Sequence, residues 1–227
     1  MLFIQKTYPP QELLNFNTPR RTTASNPTYQ ALGANTLLFQ SVKSYLENEQ
    51  KGLCCYCMQR VTAGNCNVEH FLSQSMFPEY QTDYYNLYLA CRYSHGKAKE
   101  NQHCDIRKGD ELIAKILSFN RSNSTLCQDL FQYSENDGSI APIDDRSADL
   151  LQIRKEIGLA IETLNLNAVA LKEARRKFIE NIKPTIDNAS RSKLETMKTE
   201  YETAHNKKFA GVALYIIQER LNRPGHK

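Results

Sequence analysis

Leu53-Cys54-Cys55-Tyr56-Cys57, Val68-Glu69-His70-Phe71, Tyr85-Asn86-Leu87-Tyr88-Leu89-Ala90-Cys91 and His103-Cys104-Asp105-Ile106-Arg107-Lys108-Gly109 follow one another between residues 53 and 109. This stretch decides the fold, because two pairs of cysteines enclose an acid–histidine pair and an asparagine. A C-x-x-C turn presents two thiolates, Cys54 and Cys57, to one ion, and Cys91 and Cys104 supply the other two of a tetrahedral zinc site. Twelve residues, Arg92 to His103, separate the second pair, so this half is looser and His95 or His103 is an alternative ligand. Seven cysteines in a chain without an export signal favour metal ligation over disulfides. A redox C-x-x-C pair normally accompanies a thioredoxin-like pattern, which is missing. Zinc in this position is structural, standing in for the core that a short module cannot build. Cys55, Cys66 and Cys127 receive no role.

The remaining composition sets bounds. At 227 residues with 41% hydrophobic and 24% charged side chains, the chain fits one domain or a domain with an extension. A net charge of +4 is compatible with nucleic acid without being diagnostic of it. No run of about 18 apolar residues occurs, so no membrane association is expected. Met1 to Lys6 is too short an apolar stretch for a secretory signal, and cytoplasm is the expected compartment.

The fold class expected is α+β and mainly helical. Residues 1–52 form an N-terminal arm and helix, 53–119 the cysteine module, 120–147 a connecting segment and 148–227 a helical region. Pro9, Pro10, Pro19 and Pro27 keep the arm extended. From Asn35 to Gln50 the pattern is helical, capped by Asn35 or Thr36, with Leu38, Val42 and Tyr45 on one face and Gly52 at the end. A helical piece is expected over Asp110 to Phe119. Leu130 to Tyr133 is a short strand candidate in a segment read as connection rather than core. Leu150, Ile153, Ile157, Ile161 and Leu164 recur at helical spacing. Asn167 is expected to cap a helix that ends at Ile182, before Pro184, and two more helices span Ser190–His205 and Phe209–Leu221. One apolar stripe of this region packs on the module or on a partner. Arg175-Arg176-Lys177 and Lys207-Lys208 read as solvated faces.

Phosphodiester hydrolysis needs a base for water and a cation on the scissile phosphate. His70 lies beside a carboxylate in an apolar, strand-like context. On a strand Glu69 and His70 point to opposite sides, so joint action requires a bend or a bulge. Asp105 follows Cys104, so metal binding also fixes it at the start of a helix. Glu69 and Asp105 together offer oxygen ligands to one Mg²⁺ or Mn²⁺. Arg92, Lys97, Lys99, Arg107 and Lys108 form a basic group suited to neutralising phosphates. Tyr84, Tyr85 and Tyr88 serve as packing for a small module or as platforms for bases.

The order C-x-x-C, acid-His, Asn-Leu-x-Leu-x-Cys and Cys-Asp-x-x-Lys-Gly resembles the HNH endonucleases with the ββα-metal fold. That resemblance implies His70 as general base, Glu69 and Asp105 as ligands of the catalytic cation, Asn86 as brace of the loop carrying His70, and Lys108 facing the phosphate. Asp105 stands where the family has His or Asn, and His103 is a rival for that position. The segments Glu69 to Ser75, Phe77-Pro78-Glu79, Asp83 to Leu87, Cys104 to Gly109 and Leu164-Asn165-Leu166-Asn167, with Leu171 and Arg175-Arg176, are similar more narrowly to the PtuB group. The likeness to that group implies an anti-phage role beside a PtuA-like ATPase and association with retron RNA or msDNA. DNA is the first substrate expected, with RNA, including tRNA, as the alternative. The competing expectation is a non-catalytic zinc module that binds nucleic acid or tethers the ATPase.

Overall fold

Pro9 and Pro10 deny backbone donors to the first ten residues, which run without regular structure to α1 (Gln11–Asn17). The computed structural model describes residues 1–18, 27–62, 64–113, 127–144 and 148–223. The arm packs inward, as its apolar Met1 and Ile4 require, and buries Lys6 with them. The Lys6 ammonium donates to Leu87 O at 2.6 Å, lies 3.4 Å from Glu49 and sits over the Tyr84 and Tyr88 rings. Burial pulls its pKa down to about 8 despite Glu49.

Thr28 caps α2 (Tyr29–Ala34), and Asn35 Oδ1 accepts from Leu38 N at 3.2 Å to start α3 (Thr36–Glu49). The buried stripe of α3 is Leu38, Val42 and Leu46; Tyr45, expected on it, is 43% exposed. Gly52 ends the helix in the left-handed region (φ 69°), its N–H reaching Glu47 O at 2.8 Å.

The cysteine module is a two-stranded antiparallel ribbon, β1 (Cys66–His70) and β2 (Leu87–Cys91), followed by one helical turn, α4 (Asp105–Lys108). The helix expected over Asp110 to Phe119 is not formed from Asp110 to Ile113, because the turn already closes at Gly109 (φ 54°); residues 114–119 lie outside the described ones. A second ribbon pairs β3 (Phe131–Tyr133) with β4 (Ile140–Pro142). It corrects the reading of 120–147 as mere connection, since Leu130, Phe131, Tyr133 and Ile140 are buried in the main core.

Four long helices follow: α5 (Ala148–Thr163), α6 (Val169–Asp187), α7 (Arg191–Thr203) and α8 (Ala210–Leu221). Two expectations fail at α6. Asn167 does not cap it; its side chain instead pairs with the backbone N and O of Ile140, each at 2.9 Å. Pro184 lies inside it, where Ile179 and Ile186, both buried, anchor the helix on either side of the proline. Ser190 caps α7, its Oγ accepting from Lys193 N. The most apolar helix, α8, runs through the centre: Val212, Ile216 and Ile217 are fully buried, and Phe209 N donates to Met58 O at 2.9 Å. One connected core therefore joins the arm, both ribbons and the helices, in an α+β architecture. Among the described residues no helix is long and apolar enough to cross a membrane.

Candidate functional site

The cysteines come from three places in the chain and meet at the base of the first ribbon. Cys54 and Cys57 sit on a tight turn closed by Met58 N to Cys54 O, with Met58 in the left-handed region (φ 61°). Cys91 ends β2, and its N–H points at Cys54 Sγ at 3.3 Å. Cys104 arrives after the long insert, which is cinched by Ser94: its Oγ accepts from His103 N and donates to His103 O. Cys104 N also donates to Leu164 O at 3.0 Å, and Asn165 Nδ2 holds Glu100 O and Gln102 O. Leu164 and Asn165 thus fix an insert that the sequence alone leaves loose.

All four sulfurs lie within 4.8 Å of one another and are buried. Three separations are 3.6, 3.9 and 3.9 Å. Tetrahedral zinc with bonds of about 2.3 Å needs sulfur–sulfur edges of about 3.8 Å, so the residues fit structural zinc. Burial disfavours a Cys54 thiolate, yet hydrogen bonds from Cys104, Cys55, Cys57 and Cys91 outweigh it and hold that thiol below its usual range. His103 stays outside the set: its Nδ1 is 3.2 Å from Cys104 Sγ. Cys55 is buried beside the cage, and burial pushes its thiol up. Among the described residues, the four cysteines are the one group of three or more His, Cys, Asp or Glu side chains close enough to share an ion.

The ladder of the first ribbon runs unbroken from Cys66 opposite Cys91 to His70 opposite Leu87. Glu69 and His70 therefore leave opposite faces, and no bulge within the strand brings them together. Glu69 is buried on the α4 side, where Lys108 Nζ donates to it at 2.6 Å and Tyr56 Oη at 2.7 Å. Burial raises its pKa, against the opposing pull of Lys108 and Tyr56. Lys108, also buried, donates to His70 O at 2.8 Å as well, so it ties α4 to the end of β1.

His70 turns toward Gln81 O, 2.9 Å from its Nε2, with the Tyr29 ring edge-on at 4.5 Å between centroids. A carbonyl only accepts, so Nε2 carries the proton and Nδ1 is the basic nitrogen. Burial, with the nearby Lys108 charge, lowers the pKa of His70, which keeps it neutral at physiological pH. Asn86 spans the loop after His70: its Oδ1 accepts from Leu72 N at 2.7 Å, and its Nδ2 donates to Leu72 O and Tyr80 O.

Asp105 lies on the Glu69 face. One oxygen accepts from Asn67 Nδ2 at 3.1 Å and the other is 3.3 Å from His95 Nε2. Asn67 was not singled out in the sequence; its alternation with Glu69 along β1 was the available signal. Both carboxylates proposed for a hard cation thus share a face, but the Glu69 carboxylate already has a buried ammonium on it.

The basic group is dispersed. Arg92, Lys97 and Lys99 are exposed, and Arg107 Nη1 donates to Lys99 O. Tyr84 and Tyr88 are buried packing, whereas Tyr85 is 44% exposed. Arg175, read as part of a solvated face, is buried; it donates to Gly138 O and Leu166 O at 2.6 and 2.7 Å. No protein-family model and no curated protein matches the chain.

Proposed function

We propose that the chain is an HNH-type endonuclease with a ββα-metal centre, zinc holding its fold and a Mg²⁺ or Mn²⁺ ion serving catalysis. The observation supporting this reading is that Lys108 binds both Glu69 and the His70 carbonyl while Asn86 braces the loop after His70, beside the cysteine cage; Asp105 lies on the Glu69 face, across the strand from the His70 ring. With Nε2 on Gln81 O, Nδ1 is the nitrogen that would take the water proton in this reading, Asn86 holds the loop after His70, and Lys108 steadies its backbone. Asp105 and Glu69 offer the oxygen donors, and a bound cation supplies charge stabilisation of the phosphate. Glu69 can join it only if Lys108 withdraws, so Asp105 is the first ligand in this reading.

The proposal extends to an anti-phage role with a PtuA-like ATPase, DNA as first substrate and tRNA as the alternative. The test compares wild type with His70→Ala, each purified with the ATPase, on supercoiled plasmid, total tRNA and single-stranded DNA, with added Mg²⁺ or without it. Cleavage that needs both His70 and the cation is expected, with zinc content unchanged by the substitution. Undiminished cleavage by the variant would remove His70 as the base.

A binding-only zinc module is the second reading, favoured by the closed Lys108–Glu69 pair. It predicts an intact, zinc-loaded complex that cuts none of these substrates.

A further inference from the structure

A cleft of about 750 Å³ opens between the cysteine module and the helical region; of the candidate site residues above only Lys97 and His103 line it. Arg60 follows the Cys54–Cys57 turn, Tyr93 and Lys97 come from the insert, Tyr201 from α7, and Lys207 and Lys208 from the loop before α8. No aspartate or glutamate lines it. Among the described residues Arg60, Lys97 and Lys208 form no ion pair with a carboxylate, while Lys207 lies 3.7 Å from the half-exposed Glu200. Such exposed contacts contribute little.

The aromatic walls are placed rather than loose. Tyr93 is 45% exposed, yet its hydroxyl donates to Arg60 O and accepts from Asn65 Nδ2, both at 3.0 Å. The Lys207 ammonium sits 5.3 Å from the Tyr201 ring centroid. The Arg60 Nε donates to Asn206 O at 2.9 Å, and both residues line the cleft.

Four cations line one cleft, and against their charge stand, among the described residues, a single half-exposed carboxylate, Glu200 beside Lys207, and the rings of Tyr201 and Phe209 beside Lys207 and Lys208. An anion offsets that charge, and flat rings beside the cations suit the faces of bases. The volume lies within the range of about 300–1,000 Å³ typical of small-ligand sites. We propose that this cleft binds a nucleotide unit, its phosphate held by Arg60, Lys97, Lys207 and Lys208 and its base stacked on Tyr93 or Tyr201. The unit comes from a free nucleoside phosphate or from a single strand of nucleic acid. The site shares Lys97 with the basic group read from the sequence but none of its residues bonds to His70, Asn86 or Asp105, so it does not rest on the hydrolytic reading.

Fluorescence anisotropy on the full zinc-loaded chain tests it, with no divalent cation added so that nothing is cut. The probe is a short fluorescein-labelled single strand, as DNA and as RNA, with AMP, unlabelled strand and inorganic phosphate as competitors. The wild type is expected to bind with an affinity that falls as salt rises. The Lys97→Gln/Lys207→Gln/Lys208→Gln variant is expected to bind roughly tenfold or more weakly and with a flatter salt dependence. Tyr93→Ala weakens binding by roughly tenfold, while Tyr93→Phe, which keeps the ring, binds as the wild type does.

Displacement by AMP identifies a free nucleotide as a sufficient ligand; displacement by strand alone identifies the strand. Either supports the site. Wild-type binding by the triple variant, with an unchanged circular dichroism spectrum and melting temperature, overturns it. Equal displacement by AMP and by inorganic phosphate overturns the stacking half. Cleavage by the ATPase complex does not enter these outcomes, so failure here leaves the His70 test standing.

Discussion

The two ribbons of this protein are built alike and held differently. Each is an antiparallel pair followed in sequence by a helix: β1–β2 by α4, and β3–β4 by α5. The second ribbon is fixed by its own side chains. Phe131, Tyr133 and Ile140 fill the core, and the Arg175 guanidinium closes on the Gly138 carbonyl at the turn. The first also packs into the core, through Leu87, Leu89 and Ala90 of β2, and carries in addition four sulfurs at one end that could share a metal ion. Glu69, Asn86, His103 and Lys108 are all buried in or beside it, where an ordinary small core has no room for charge. A metal held by these sulfurs would fix that end of the ribbon independently of side-chain packing, and the buried charged groups lie beside it.

Removing the cage is the strongest way to break this contrast. Cys104→Ser is expected to abolish zinc binding and to unfold the first ribbon, because zinc binding contributes about 10–16 kcal/mol in small zinc modules. Metal content by atomic emission and amide exchange of residues 66–91 measure it. A soluble, zinc-free variant with protected β1 and β2 amides would show that sulfur ligation does not hold the ribbon.

The next effect tests the buried charge beside the cage. Lys108→Met strands the Glu69 carboxylate, at a cost of about 3–5 kcal/mol near neutral pH. Glu69 already sits above the ordinary carboxylate range through burial, and the loss of Lys108 raises it further. A raised carboxylate favours folding in acid and loses that contribution as pH rises through the folded value. The gap between variant and wild type in urea melts should therefore widen from acid toward neutral pH. A gap independent of pH would show that Lys108 matters through His70 O instead.

The smallest change sharpens the comparison from the other side. Gly138 has φ 71°, and a Cβ there would meet Lys172 O at 2.3 Å and Arg176 N at 2.7 Å. Gly138→Ala should cost about 1–3 kcal/mol through this strain, while zinc content stays at the wild-type level. Loss of zinc from that variant would mean the two ribbons fold as one unit.

Much of the first ribbon was legible because its constraints are chemical. Cysteine spacing anticipates a shared site, whereas Asn86 as brace of the loop after His70 comes from the family resemblance, and its bonds to Leu72 and Tyr80 agree with it. The helix α5 follows from apolar periodicity, and α7 and α8 lie within the bounds Ser190–His205 and Phe209–Leu221 expected for the last two helices. What escaped was set by distant partners. Leu164 and Asn165 look like the end of a helix, yet their polar groups secure Cys104 and the insert. Asn167 has the character of a cap and serves β4 instead, because a backbone pair at Ile140 is the better offer. Three-residue strands carry too little periodicity to distinguish core from connection, which hid β4 and left the strand candidate at Leu130 to Tyr133 read as connection though its apolar side chains are core. The cations of the cleft come from three separate stretches of chain, and only packing brings them together.

Met58 is where the knuckle and the last helix meet. Its carbonyl accepts from Phe209 N, and its sulfur takes the Gly211 N–H at 3.3 Å. The cysteine knuckle is therefore not a cassette. A lineage that exchanged residues 53–109 by recombination while keeping its own C-terminal helix would inherit a turn with no seat. Descendants are expected to carry changes at Met58 and around Gly211 in pairs, and an engineer transplanting the module must move α8 with it.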